Sequence, residues 1–123
     1  MSREQIFQAI EDQLNTIDGL LVKFGPLDLN EEVLPVVGIV PVTDARQRSS
    51  KTGATHVLNL TLRLRSLNAY ELEPWTVLLA AKMEEDLLWG GLARDTELDE
   101  EGWLFYDPVF PQTGVDMKYK LTY

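Results

Sequence analysis

The acids Asp95, Glu97, Asp99, Glu100 and Glu101 crowd residues 95–101 and are the best candidates for a chemical site. Carboxylates on alternate strand positions can hold Mg²⁺ or Ca²⁺ through oxygen ligands, which singles out Asp95, Glu97 and Asp99 as candidate metal ligands. The spacing is not that of an EF-hand loop, and a solvated hairpin turn accounts for the same residues. Paired carboxylates also serve glycoside hydrolysis, but any acidic chain of this size offers many such pairs. His56 is the single histidine, so no multi-histidine metal site or histidine proton relay can form. At the start of a strand, and read onto the face of Asn59 and Thr61, it is structural or superficial. Gly90-Gly91 lacks both the Lys-Ser/Thr of a phosphate loop and the G-x-G-x-x-G spacing. Ser49 and Ser50 fall in a polar stretch with no G-x-S-x-G elbow. No catalytic or cofactor-binding set emerges.

Composition narrows the classes further. The chain has 123 residues, close to the commonest domain size, and is expected to fold as one domain over residues 1–123. Without cysteine it has neither a disulfide framework nor cysteine–zinc sites. Twenty acids against eleven bases give a formal charge of −9, the wrong sign for general nucleic-acid binding. No apolar run approaches the ~20 residues that span a bilayer, and no signal peptide opens the chain. A cytosolic protein with no membrane partner is expected.

The elements around these residues follow from hydrophobic period. Ile6, Phe7, Ile10, Leu14 and Ile17 keep helical spacing behind a capping box at Ser2 and Gln5, and Asp18-Gly19 closes the helix. A short extended piece lies within residues 20–32. A short β-branched strand is predicted over residues 33–42, bracketed by Pro35 and Pro41. Residues 44–54 read as a polar hairpin loop. The main strand, residues 55–65, sets Leu58, Leu60, Leu62 and Leu64 on one face and Asn59, Thr61, Arg63 and Arg65 on the other. A helix over residues 74–88 starts at Pro74, with Trp75, Leu78, Leu79, Met83 and Leu87 as its stripe. Trp89-Gly90-Gly91 stops it. Strands follow at about residues 92–98 and, with strict alternation, at 115–123. The expected fold is α+β: a single mixed, mostly antiparallel sheet with two main helices packed on one face and a long β-hairpin loop.

Interface candidates are the residues left over. Arg46, Arg48 and Lys51 make the loop locally basic on an acidic protein. Arg63 and Arg65 occupy the back of the main strand, where helices on the other face leave them for water or another subunit. Trp103, Phe105 and Tyr106 bring aromatic area into a proline-broken segment, and aromatics dominate interfaces.

In element order the chain resembles the bacteriophage tail terminators, the family of the minor tail protein U of long-tailed phages. The resemblance runs from REQIFQAIEDQL through LPVVGIVPV, the polar hairpin and THVLNLTLRLR. It continues through PWTVLLAAKMEEDLL and an acidic turn to the closing DMKYKLTY. It implies a non-enzymatic protein of the virion tail, assembled in the host cytoplasm. Copies would form a ring, typically a hexamer, that caps the tube of major tail protein, ends its polymerisation and offers a surface to a head-completion protein. The hairpin would face the ring interior or the tube. No cofactor is implied, although a divalent cation such as Mg²⁺ can assist assembly, and no direct nucleic-acid recognition is implied. Residues 103–112 are longer and more aromatic than the family leads one to expect. Two other readings use the same residues: a small metal-binding domain or enzyme built on the acids of residues 95–101, and a monomeric acidic inhibitor of a basic partner.

Overall fold

The computed structural model describes residues 3–25, 35–50, 53–66, 69–105 and 113–123. Helix α1 (Arg3–Leu14) leads into strand β1 (Leu21–Phe24), and β2 (Val36–Ser50) and β3 (Gly53–Ser66) follow. Helix α2 (Ala69–Glu85) and a single 3₁₀ turn at Trp89–Gly91 come next, and β4 (Asp95–Phe105) and β5 (Thr113–Thr122) close the order. The strands form one five-stranded sheet in the order β1-β2-β3-β5-β4, with β1 parallel to β2 and every other pair antiparallel. The fold is therefore α+β with a mixed, mostly antiparallel sheet, and both helices lie on one face.

The alternation in β3 and β5 builds the core. Leu58, Leu60, Leu62 and Leu64 sit opposite Leu121, Tyr119, Met117 and Val115. Val37 and Ile39 of β2 extend the same layer, and all of these side chains are buried. Ile6, Ile10 and Leu14 of α1 and Leu72, Leu79 and Met83 of α2 close over it. Each such aliphatic side chain stabilises the fold by about 1.5–3 kcal/mol. A charge at Leu62, at the centre of the layer, would break it.

Four predicted boundaries are corrected. The strand expected at about residues 92–98 with an acidic turn after it is one strand, Asp95–Phe105, whose acids at 100 and 101 stay in the ladder past a bulge between Leu98 and Glu100. Strand β2 is not short: it runs from Val36 to Ser50, pairs with β3 up to Ser50 against Gly53, and absorbs Pro41 at a bulge between Pro41 and Thr43. The stretch expected to be a loop is thus mostly ladder, because backbone pairing needs no apolar side chains. Helix α2 begins at Ala69, so Pro74 lies inside it rather than at its first position. The amide it lacks would have paired with the carbonyl of Tyr70, a residue 92% exposed. Helix α1 ends at Leu14, not at Asp18. Ile17 is buried from a tightened turn, its N–H donating to Leu14 O, before Gly19 reverses the chain at φ +82°. Ser2, the expected cap, lies outside the described residues.

The stop after α2 is built from side chains. Asp86 accepts from the N–H groups of Leu88 (3.2 Å) and Gly90 (2.7 Å). Trp89, held at φ +50°, donates its indole N–H to Thr96 Oγ1 at 2.8 Å, and that hydroxyl donates to Leu87 O at 2.7 Å. This relay pins the helix exit to β4.

Candidate functional site

The hairpin is the most projecting feature. β1 pairs with β2 only through Ile39, and the C-terminal strand meets β3 only from His56, which exchanges backbone hydrogen bonds with Tyr123, onward. Residues 45–50 of β2 and 53–55 of β3 therefore extend past their neighbours as a two-stranded ribbon. Arg46 is exposed on it, Arg48 lies on the same strand opposite Ala54, and Lys51 lies outside the described residues.

A polar cluster anchors the ribbon where it leaves the sheet. After the bulge Asp44 stands opposite Leu58, on the helix face, with only 7% of its side chain exposed. Arg3 of α1 places Nε 3.0 Å from Oδ2, and Tyr123 donates its hydroxyl to the same oxygen. His56 Nδ1 lies 3.5 Å from Oδ1, which is buried and has no hydrogen-bond partner. The rings of His56 and Tyr123 stack at 4.8 Å. His56 is thus on the leucine face, not the Asn59 and Thr61 face: its position shares the parity of Leu58. Burial, the hydrogen bond to Asp44 and that carboxylate's charge push the Tyr123 hydroxyl up to about 12, with Arg3 pulling the other way. Tyr119 is raised as well, by burial first and then by Glu84 and Glu101.

The back of the sheet is partly covered within the chain. Arg65, 5% exposed at its side chain, lies across Gly114 and donates to Leu64 O at 2.8 Å and Asp116 Oδ1 at 3.0 Å. Arg63 is exposed, 3.8 Å from the other oxygen of Asp116. Val36 and Thr61 on this face are also buried. The expectation that this face meets only water or another subunit is corrected to that extent. Lys118 pairs with Glu100 at 3.2 Å.

The acids of β4 do not gather. Asp95 and Glu97 stand opposite Thr122 and Lys120, while Asp99 falls at the bulge between Leu98 and Glu100 with no partner residue. Among the described residues no group of three His, Cys, Asp or Glu side chains could share one metal ion. Trp103 and Phe105 pair with Val115 and Thr113 by backbone register, and Tyr106 lies outside the described residues.

Two apolar surfaces escaped the sequence reading. On α2 the buried stripe is Leu72, Thr76, Leu79 and Met83, whereas Leu78 and Leu87, expected inside, are exposed. The opposite side carries Tyr70 (92% exposed) and Val77 (60%), with Pro74 and Ala81 in the same row. Over residues 74–81 the helix carries no charged side chain on any side, a pattern of helices covered on both sides, whereas its two ends are acidic. Near the start of the ribbon, Phe24 (50% exposed) and Val42 (61%) join Pro41 in lining a groove of about 270 Å³, with Arg3 at its edge. Short runs of mixed period hide both surfaces from a one-dimensional reading.

No model of a known protein family matches the chain, and no curated protein matches it either. A solved structure does. A chain of the virion of a native gene transfer agent particle superposes with a TM-score of 0.58 at 12% identity, over 94% of this chain and 91% of that one. At that identity the likeness is one of fold. No helix among the described residues is long and apolar enough to cross a membrane.

Proposed function

We propose that this chain is a structural protein of a phage-like particle, and within that class a tail terminator: a non-enzymatic subunit of a ring, a hexamer in the family it resembles. The ring caps the tail tube, ends its polymerisation and receives the head. The observation that carries the reading is the shared fold over nearly the whole length of both chains with a component of a gene transfer agent virion. The ribbon supports it. A two-stranded arm bearing Arg46 and Arg48, anchored at its base by Asp44, is suited to reach a neighbouring subunit or the tube. The charged back of β3 and the segment of Trp103, Phe105 and Tyr106 are further contact candidates.

The partners in this reading are other copies of the chain, the major tail tube protein and a head-completion protein. No resident cofactor is assigned, and a divalent cation would act on assembly alone. Light scattering coupled to size exclusion, run over a range of protein concentrations with Mg²⁺ or with chelator, together with electron microscopy, tests the reading. Closed rings are the expected result. A species that stays monomeric under all conditions and yields no rings in the presence of tube protein would sink it.

A further inference from the structure

We infer that the outer face of α2 on one copy of this chain seats in the groove lined by Phe24 and Val42 on the next. The inference rests on the ring reading and names the surfaces that reading leaves open. Tyr70, Val77 and Leu78 form an apolar surface on the solvent side of a helix whose other side already fills the core. An exposed row of this kind on a small protein marks a contact. Glu73 and Glu84, both exposed, border it, while Glu85 is paired with Lys82 at 3.4 Å. The groove is a second apolar surface on a different part of the subunit, over β1 and β2 rather than beside α2. Arg3 and Asp44 in its wall neutralise each other, and the net charge beside it is that of Arg46, exposed on the adjoining strand.

The charges decide the occupant and the symmetry. A two-fold contact of the α2 face with itself would oppose Glu73 and Glu84 to their own copies, on a chain already at −9. Head-to-tail docking instead sets the acid-bordered face against the cation-bordered groove. Two different complementary patches on one subunit are what a closed ring requires. Tyr70 is the natural anchor, large and held on a rigid helix.

The absence of cysteine makes the test clean. Val77→Cys and Val42→Cys are placed on separate copies, mixed and mildly oxidised. The expected result is a disulfide-linked dimer in the mixture and none with either variant alone. The doubly substituted chain should give a ladder ending at the ring size. Val77→Glu and Leu78→Glu, both at exposed positions, should weaken assembly more than tenfold without moving the melting temperature. Self-linking by Val77→Cys alone, or rings that persist in both glutamate variants, overturns the contact while leaving the ring reading standing. Failure of the unmodified chain to assemble at all overturns both.

Discussion

Gly114→Ala is the substitution whose effect the structure sets most sharply. Strand β5 holds Gly114 opposite Arg65 of β3, and a Cβ built there would lie 2.5 Å from Arg65 Nη1 and 2.9 Å from both Cδ and Cζ. The backbone at Gly114 is not in the left-handed region, so alanine fits the strand itself. The penalty therefore falls on the arginine, which must leave its place and its bonds to Asp116 and Leu64 O. Hydrogen bonds to a charged group contribute about 1.5–3 kcal/mol. Alanine in place of glycine returns about 0.5–1 kcal/mol by restricting the unfolded chain. The net loss is about 1–2 kcal/mol, or a melting temperature lower by roughly 4–8 °C for a domain near this size. Urea unfolding of the four members of a double-mutant cycle with Arg65→Met measures it. In the Arg65→Met background the same alanine should be neutral or stabilising, because a Met side chain can move aside. An equal loss in both backgrounds, or none in the native one, would refute the close approach of Arg65 to Gly114.

Three other predictions follow from the buried polar groups. Thr96→Val leaves the Trp89 indole N–H without its acceptor and Leu87 O without its donor, and should destabilise by about 1–3 kcal/mol in urea unfolding while shifting Trp89 fluorescence. Tyr123 sets an alkaline limit. Its hydroxyl titrates near 10 when unfolded and at about 12 when folded, so between those values the unfolded chain gives up a proton that the folded chain keeps. Stability from this group is constant below pH 10 and falls as pH rises through that window. Tyr123→Phe should flatten the fall, leaving the part due to Tyr119. Asp44→Asn should bring Tyr123 down toward its ordinary value in an ultraviolet titration, since a neutral amide removes the charge that helps to raise it.

What the sequence disclosed depended on which side chains carried a period. β3 and β5 were legible because the helix face of each is apolar while the other face carries mostly polar or charged side chains, buried or not, so the leucines of one and the Val115–Leu121 alternation of the other appear as a period of two. The outer half of β2 was not legible: beyond Thr43 the ribbon pairs through backbone groups and bears polar residues, which read as loop. Pro74 misplaced the start of α2 because proline is commonest in a first turn, whereas here it sits in the second turn, and its missing bond falls at Tyr70, an exposed residue. The Asp44 cluster joins Arg3, His56 and Tyr123 from distant parts of the chain, and no spacing rule links them. The face of His56, by contrast, was available from its parity with Leu58.

The distribution of paired charge bears on how copies would meet. Arg65 is committed to Asp116 and Lys118 to Glu100, so much of the cationic back of the sheet is neutralised inside the subunit. Such pairs offer a partner little net field. Arg46 differs, being exposed on a ribbon whose one described acid, Asp44, is engaged by Arg3 and Tyr123. Electrostatic steering between copies therefore belongs to the ribbon and groove side, and the acids along α2 are the matching pole. The range of that attraction shrinks as the Debye length falls from about 10 Å at 0.1 M salt to about 3 Å at 1 M. The apolar surfaces of Val77 and Val42 are indifferent to this. In the ring proposed above, association should thus slow with salt while a ring closed through apolar contact stays intact.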